Sequence, residues 1–266
     1  MKALRLARKT ITILVKDRLH YPDRLVLDTF TTLARCGVLL LLYAYVFKLR
    51  SGVINGTTFQ VAAWSMFFYF LFLNLRLRGI ATLIMKDVQT GTVEVLFSKP
   101  ISYLVHRMWW QVGSGLYSFL VIGIVAATIL ALLIGFPETM QLAFFLPTFL
   151  LTAFLGCFLL LLVYLLLGLL SFWIEDINPL FWIVDKSVMI LGGSYLPVAL
   201  FPPFLASLAL YSPFGATQFA THTVYASWAK NWLTLVGFQT AWILGFGILC
   251  LALFALARRR VSVNGG

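Results

Sequence analysis

Long apolar stretches separated by short polar segments constrain this chain more than any other feature of its sequence. Of the 266 residues, 61% are hydrophobic and only 11% are charged, whereas a soluble domain has about 45–50% apolar and about 25% charged residues. A helix needs about 20 apolar residues to cross the roughly 30 Å hydrocarbon core of a bilayer. Because lipid is the environment that such stretches require, the sequence predicts an all-α, polytopic membrane protein.

Six stretches are assigned as transmembrane helices of one domain that covers residues 1–266. The fourth is longer than a bilayer requires, which permits tilt, and the fifth is too short to cross alone. The predicted spans are residues 29–47, 59–75, 108–134, 142–173, 179–191 and 232–257.

Basic residues are concentrated on one side of these predicted spans. Fifteen lie before the first span, between the second and third, or after the last, whereas only Lys48, Arg50 and Lys230 lie on the other side. Lys and Arg near span ends favour the cytoplasm, so both termini are predicted to be cytoplasmic, with Asn55 and Glu138 outside. This topology and anionic membrane lipids account for the net charge of +11, and no nucleic-acid partner is predicted.

The region 1–28 precedes the first span and is basic. Within it, residues 1–21 alternate apolar and basic positions with helical period, and Pro22 ends the run. A basic amphipathic helix at this position is predicted to lie flat on the inner leaflet. The alternative is a disordered basic tail.

Motifs for catalysis and metal binding are absent from the sequence. There is no G-x-x-x-x-G-K-[ST] phosphate loop, no H-E-x-x-H and no G-x-S-x-G. The histidines and cysteines lack the spacings of a metal site, and the cysteines are interpreted as apolar packing residues. The small residues Gly113-Ser114-Gly115 are predicted to make a close helix–helix contact. No catalytic residue, metal or cofactor is therefore predicted in this chain.

A polar, basic insertion at residues 76–107 follows the second predicted span. Its segment 86–102 mixes charges with Val88, Val93, Val95, Leu96 and Phe97. We predict a short amphipathic helix here that projects into the cytoplasm and offers its apolar edge to a protein groove.

Residues 192–230 have the opposite character, because they are apolar but broken. Gly192, Gly193 and Pro197 interrupt the fifth span, and further prolines follow before Pro213. Broken backbone within a membrane is tolerated only where protein shields it. This region is predicted to form short re-entrant helices near the outer leaflet.

Two further features lie inside predicted spans. The aromatic run Phe67, Phe68, Tyr69 and Phe70 is assigned to lipid-facing or dimer packing, with lining of a substrate pathway as the alternative. Asp185 is costly in hydrocarbon and is a candidate functional residue. Asn178-Pro179 is read as an N-cap and first helical residue, and the positive end of that helix explains Glu175 and Asp176 just before it.

The whole chain resembles the ABC-2 type, or type V exporter-like, permease family. The most specific segments are G-T-V-E-V-L-F-S-K-P-I-S at 91–102 and G-G-S-Y-L-P-V-A-L-F-P-P at 192–203. The resemblance implies that the first segment is a coupling helix that docks on an ATPase, and that the second belongs to an outer gate. The implied ATPase-coupling residues are Lys86, Asp87, Gly91, Glu94, Leu96, Lys99 and Pro100. The implied gate residues are Gly192, Gly193, Tyr195, Pro197, Pro202, Pro203, Phe204 and Pro213.

By this resemblance, the chain is the permease subunit of an ATP-driven exporter in a bacterial inner membrane. It would pair with itself or with a related permease and bind two ATPase subunits, which would carry the ATP and Mg. The substrate class stays open between a small amphiphile or drug, a peptide, a lipid and a polysaccharide. The alternatives are a membrane-embedded lipid-modifying enzyme and a non-transporting assembly or signalling protein.

Overall fold

The computed structural model describes residues 2–99 and 102–264, and it is 80% helical. The one sheet among these residues is an antiparallel hairpin of two-residue strands, Val53–Ile54 (β1) and Thr57–Thr58 (β2). The longer helices are α1 (Lys2–Leu19), α2 (Pro22–Leu49), α3 (Phe59–Leu73), α4 (Gly79–Gln89), α5 (Thr92–Phe97), α6 (Tyr103–Ile134), α7 (Leu142–Leu170) and α8 (Asn178–Leu191). They are followed by α9 (Pro203–Tyr211), α10 (Pro213–Ala216) and α11 (Trp228–Asn264), with 3-10 turns at Val198–Leu200 and Phe219–Val224.

Four helices in the described residues are long and apolar enough to cross a membrane. They are α2, α6, α7 and the Trp228–Arg260 part of α11. The chain is therefore a helical, membrane-embedded protein. The prediction of six spans is not confirmed. Helices α3 and α8, which correspond to the second and fifth predicted spans, have 15 and 14 residues, whereas about 20 are needed to cross the hydrocarbon core.

Helix α3 lies at the centre of the bundle, enclosed by α2, α6 and the Phe219–Val224 turn. Every residue from Val61 to Phe72 is buried. The aromatic run Phe67–Phe70 is therefore covered by the chain's own helices, and its assignment as lipid-facing is wrong. Apolarity on all faces cannot tell a helix surrounded by lipid from one surrounded by protein.

Hydrogen bonds from α3 fix its position at both flanks. Ser65 Oγ lies 2.8 Å from the hydroxyl of Tyr225, and Trp64 Nε1 donates to the carbonyl of Gly135 at 2.8 Å. The Thr58 side chain caps the helix by accepting from Val61 N. These bonds satisfy polar groups that are expensive to bury alone.

Small residues allow close helix contacts on α6. A Cβ atom built on Gly113 would lie 2.9 Å from a Leu14 methyl of α1, and one on Gly115 would lie 2.2 Å from the carbonyl oxygen of Leu75. The predicted helix–helix contact at Gly113–Gly115 is therefore confirmed. The contact between Leu14 and Gly113 also shows that α1 packs on α6 through the apolar face of α1.

One end of the bundle collects most of the basic segments, and we call it the basic end. Here Arg76 pairs with Asp28 of α2, Gln111 Nε2 donates to the Arg76 carbonyl at 2.6 Å, and Arg260 Nη1 donates to the Phe172 carbonyl at 3.3 Å. The start of α2, the segment after α3, the start of α6 and the end of α11 thus lie at one end, since Tyr103 of α6 also stacks on Phe254 of α11. Assignment of this end to the cytoplasm stays a prediction.

The regular helix is interrupted after α8, as expected from the glycines at 192 and 193. Helix α8 ends at Leu191, Gly193 adopts a φ of +81°, and short helical pieces follow. The broken conformation is thus present, and its re-entry into a membrane stays a prediction. The N-cap of α8 is Ile177 and not Asn178, one residue earlier than predicted, and Asp176 Oδ1 accepts from Asn178 N at 2.9 Å.

Candidate functional site

The segment after α3 does not form the single helix that was predicted for residues 86–102. It forms two helices, α4 and α5, which are separated at Gly91 with a φ of +69°. Helix α4 buries Ile80, Ala81 and Ile84 against α7, where a Cβ on Gly168 would lie 3.0 Å from the Ile84 Cβ. The prediction of one amphipathic helix over 86–102 is therefore wrong, because the segment is divided at Gly91 into the end of α4 and the separate helix α5.

A buried ion pair fixes α4 to α6. Asp87 Oδ2 accepts from Arg107 Nε at 2.7 Å and from the Tyr103 hydroxyl at 2.7 Å, while Arg107 Nη2 reaches Asp87 Oδ1. Asp87 and Arg107 are 5% and 8% exposed. The Asp87 carboxylate is thus fully engaged inside the chain and is not free for the ATPase contact that the resemblance implies. A bidentate arginine–carboxylate pair is the strongest of such contacts.

Helix α5 presents the remaining part of the predicted coupling surface. Glu94 and Lys99 are exposed, and Val95 is an exposed apolar residue beside them. Lys86 and Gly91 are also exposed, Leu96 is half-buried, and Pro100 lies outside the described residues. We call the exposed residues Glu94, Val95 and Lys99, which lie on or directly after α5, the α5 surface.

Phe97 anchors α5 to the ends of three other helices. Its ring contacts the rings of Tyr103 at 5.3 Å, Phe254 at 5.7 Å and Phe172 at 6.4 Å between centroids. These partners belong to α6, α11 and the segment after α7. A displacement of α5 would therefore be transmitted through Phe97 to the ends of α6, α7 and α11 that lie at the basic end.

A second polar cluster lies deeper in the bundle, around Asp185 of α8. Arg78 Nη1 donates to the two carboxylate oxygens of Asp185 at 3.2 and 3.3 Å, and the Tyr164 hydroxyl donates to Oδ1 at 3.0 Å. Asp185 is buried, whereas the side chain of Arg78 is 53% exposed. Asp185 is thus buried with a cationic partner. Sequence analysis missed Arg78 and Tyr164, because no pattern links positions so far apart in the chain.

This cluster forms part of the wall of an open cavity of about 650 Å³ between α2, α3 and α8. Tyr69 and Phe70 contribute aromatic surface to it, whereas Phe67 and Phe68 pack elsewhere, against Trp64. The pathway alternative for the aromatic run therefore applies to half of the run. We call this space the main cavity.

The main cavity contains polar groups that lack partners. Ser194 Oγ and Gln218 Oε1 are both buried, and neither makes a hydrogen bond with the described residues. The Tyr69 side chain is the polar neighbour of Ser194. Lys186 lies over the Trp182 ring at 5.4 Å. Buried acceptors without partners are rare in native structures, so each one calls for an explanation.

The predicted gate residues divide into buried and exposed groups. A Cβ on Gly192 would lie 2.5 Å from the Val188 carbonyl and 2.6 Å from Gln218 Cγ, so no side chain fits there. Pro197 is buried, and the carbonyl of Tyr195 accepts from the Tyr43 hydroxyl at 2.7 Å. Phe204 is 80% exposed. Pro202 and Pro203 are also exposed, and Pro213 begins α10.

Comparison with known proteins adds no assignment: no family model matches this chain, and no curated protein matches it significantly. Within residues 2–99 and 102–264, no group of three or more His, Cys, Asp and Glu side chains is arranged to hold a metal ion. The site is thus characterised by its two ion-pair clusters, the main cavity and the α5 surface.

Proposed function

We propose that this chain is the permease subunit of an ATP-driven exporter of ABC-2 type. It would work as a dimer with itself or with a related permease, and separate ATPase subunits would bind ATP and Mg. The main cavity would be part of the substrate pathway, and the α5 surface would receive the ATPase. The sequence resemblance and the following arrangement of α4 support this function.

The observation that carries the proposal is that one helix connects the α5 surface to the main cavity. Helix α4 has 11 residues, which corresponds to about 16 Å at 1.5 Å per residue. Arg78 at its N-cap holds Asp185 in the cavity wall, and α5 follows its C-terminus after Gly91. A displacement at the surface can therefore reach the cavity through a single rigid element.

The contacts of α4 favour transmission over local yielding. The Asp87–Arg107 pair ties α4 to α6, and the packing of Ile84 at Gly168 ties it to α7. Packed interfaces of this kind respond to force by discrete rearrangement and not by continuous deformation. We therefore propose that ATP binding to the partner moves α5 and α4 together, and that this movement shifts Arg78 relative to Asp185 and α8.

Purification of the tagged chain from native membranes tests this function. A co-purifying ATPase should be identified by mass spectrometry through its Walker motifs, and its ATP hydrolysis should be measured. Glu94→Arg and Val95→Asp should each reduce co-purified ATPase activity at least tenfold, since charge and apolar contact are changed at the α5 surface. Membrane insertion should be unaffected.

Glu138→Arg is the matched control, because Glu138 is an exposed carboxylate in the loop between α6 and α7, away from the α5 surface. It should leave ATPase recovery unchanged. Recovery of wild-type ATPase activity with both α5 variants would contradict the proposed coupling surface. Purification of a transport-active chain that has no ATPase would contradict the proposed function itself.

A further inference from the structure

The main cavity continues into a second cavity of about 520 Å³ that lies toward the basic end. The two share Arg35, Phe70, Leu73, Arg76 and Arg78 in their walls. The second cavity is mainly polar, whereas the main cavity combines aromatic and aliphatic surface with a few polar groups. The joined space therefore offers both environments to one molecule.

The joined cavities carry an excess of positive charge. Four cations line them, against the carboxylates Asp28 and Asp185. Arg76 and Arg78 pair with these carboxylates. Arg35 and Lys186, the other two cations, make no ion pair with any residue that the structure describes. Two positive charges beside an apolar wall are thus available to an anion.

The unpaired cations and the unpartnered acceptors line the same space. Arg35, Lys186, Ser194 and Gln218 all contribute to the wall of the main cavity. A ligand that satisfies them must combine an anionic group with hydrogen-bond donors, since Gln218 Oε1 can only accept a hydrogen bond. Neutral hydroxyl donors suit this wall better than an ammonium group, because its excess charge is already positive. Val38 of α2 lines the cavity and is 67% exposed, so apolar chains can leave the cavity past this residue.

We propose that the main cavity binds the headgroup of an anionic, hydroxyl-bearing phospholipid of the phosphatidylglycerol class. Arg35 and Lys186 hold the phosphate, Ser194 and Gln218 accept from the headgroup hydroxyls, and the acyl chains pass along α2 into the surrounding lipid. As the identity of a transported molecule, this inference rests on the proposed function. As a binding site it stands on the cavity alone.

Equilibrium binding of radiolabelled phosphatidylglycerol to the purified full chain in non-ionic detergent tests the site. Unlabelled phosphatidylcholine should compete at least tenfold less well than unlabelled phosphatidylglycerol. Arg35→Gln should weaken binding about tenfold, the effect of losing one hydrogen bond to a charged group. Arg35 is exposed on α2, so this substitution should leave the fold intact. Arg50→Gln at the C-terminal end of the same helix is the control and should change nothing.

Two further arms define the headgroup and the position of the chains. Ser194→Ala should weaken binding of phosphatidylglycerol a fewfold but leave phosphatidic acid, which lacks headgroup hydroxyls, unaffected. Val38→Trp should obstruct the passage of the acyl chains and weaken binding, whereas Leu41→Trp, at an exposed α2 position that does not line the cavity, should not.

Three results would overturn the assignment. Equal competition by phosphatidylcholine would show that charge is not recognised, and equal losses in Arg35→Gln and Arg50→Gln would indicate non-specific attraction to basic residues. Competition by glycerol 3-phosphate as strong as that by the lipid would indicate a site for a free phosphate. The lipid-binding assay contains neither ATP nor a partner protein. A negative result in it would therefore leave the ATPase test of the proposed function unaffected.

Discussion

Replacing Asp87 by alanine should destabilise the chain more than any other single removal of a carboxylate at the basic end. The substitution leaves the Arg107 guanidinium buried without a counter-charge, and it removes the acceptor of the Tyr103 hydroxyl. Breaking a buried pair by removing one partner costs about 3–5 kcal/mol of unfolding free energy. For a chain of this size, about 2–4 °C in Tm accompanies each kcal/mol, so we expect a loss of roughly 10 °C.

Thermal unfolding of the purified chain in detergent, followed by circular dichroism, measures this effect. Asp28→Ala is the matched control, because it removes the carboxylate of the Arg76 pair, whose side chains are 42% and 23% exposed for Arg76 and Asp28. Surface pairs contribute only about 0–1 kcal/mol. The control should therefore lose no more than a few degrees.

A second variant separates the loss of charge pairing from a loss of packing. Asp87→Leu combined with Arg107→Met replaces both charges by apolar groups of similar volume, which is often neutral for a buried pair. This double variant should recover the part of the loss that the unpaired Arg107 charge causes, while the Tyr103 hydroxyl, which still lacks its acceptor, should retain a cost of about 1–3 kcal/mol. If Asp87→Ala costs no more than Asp28→Ala, or if the double variant is the least stable of the series, the argument from buried charge is refuted.

Three further predictions concern other parts of the chain. Burial lowers the pKa of His222 to about 4, so the unfolded chain binds more protons than the folded chain below about pH 6.5. The unfolding free energy should therefore fall by up to about 3 kcal/mol as the pH drops from 6.5 to 4. His222→Gln should flatten this part of the stability–pH curve. Gly115→Val should lower Tm markedly, because its Cβ would collide with the Leu75 carbonyl, while Gly245→Val, with no atom within 4 Å, should not. In a cysteine-free background, a cysteine at position 55 should react with an impermeant thiol reagent in intact cells, and labelling only after permeabilisation would contradict the predicted orientation.

The sequence was a reliable guide where one physical factor determines the structure. Pro22 begins α2, and the paired glycines at 192 and 193 follow the last residue of α8. Both effects are local, since proline fixes φ and removes a donor, and glycine alone adopts positive φ without strain. The long apolar helices follow equally directly from their composition.

The prediction for the segment 76–107 was wrong about its helices, because it relied on the charges and did not use the helical repeat of the apolar residues. Ile80, Ala81 and Ile84 share one face at helical spacing, which could have indicated a buried helix. The charges of this segment predict a helix that projects from the bundle, whereas Asp87 and Arg107 pair with each other inside the protein. Spacing along the chain gave no reason to pair them.

The centre of the candidate site could not be derived from a single sequence. Asp185 was identified as costly to bury, but its partner Arg78 lies 107 positions away in the chain. Pairings over such distances depend on how the helices pack, which hydropathy does not determine. The same holds for Ser194 and Gln218, which are unremarkable in sequence and become informative only because they are buried without partners.

The complete enclosure of α3 sets an order for the biogenesis of this protein. Tyr225, which bonds Ser65 in the middle of α3, is synthesised 160 residues later, or roughly 10–30 s later at about 5–20 residues per second. During that interval the Ser65 hydroxyl must wait in lipid or in the insertion machinery without its Tyr225 partner. A chain arrested before the Phe219–Val224 turn would expose this helix, and it would be a natural substrate for membrane quality-control proteases.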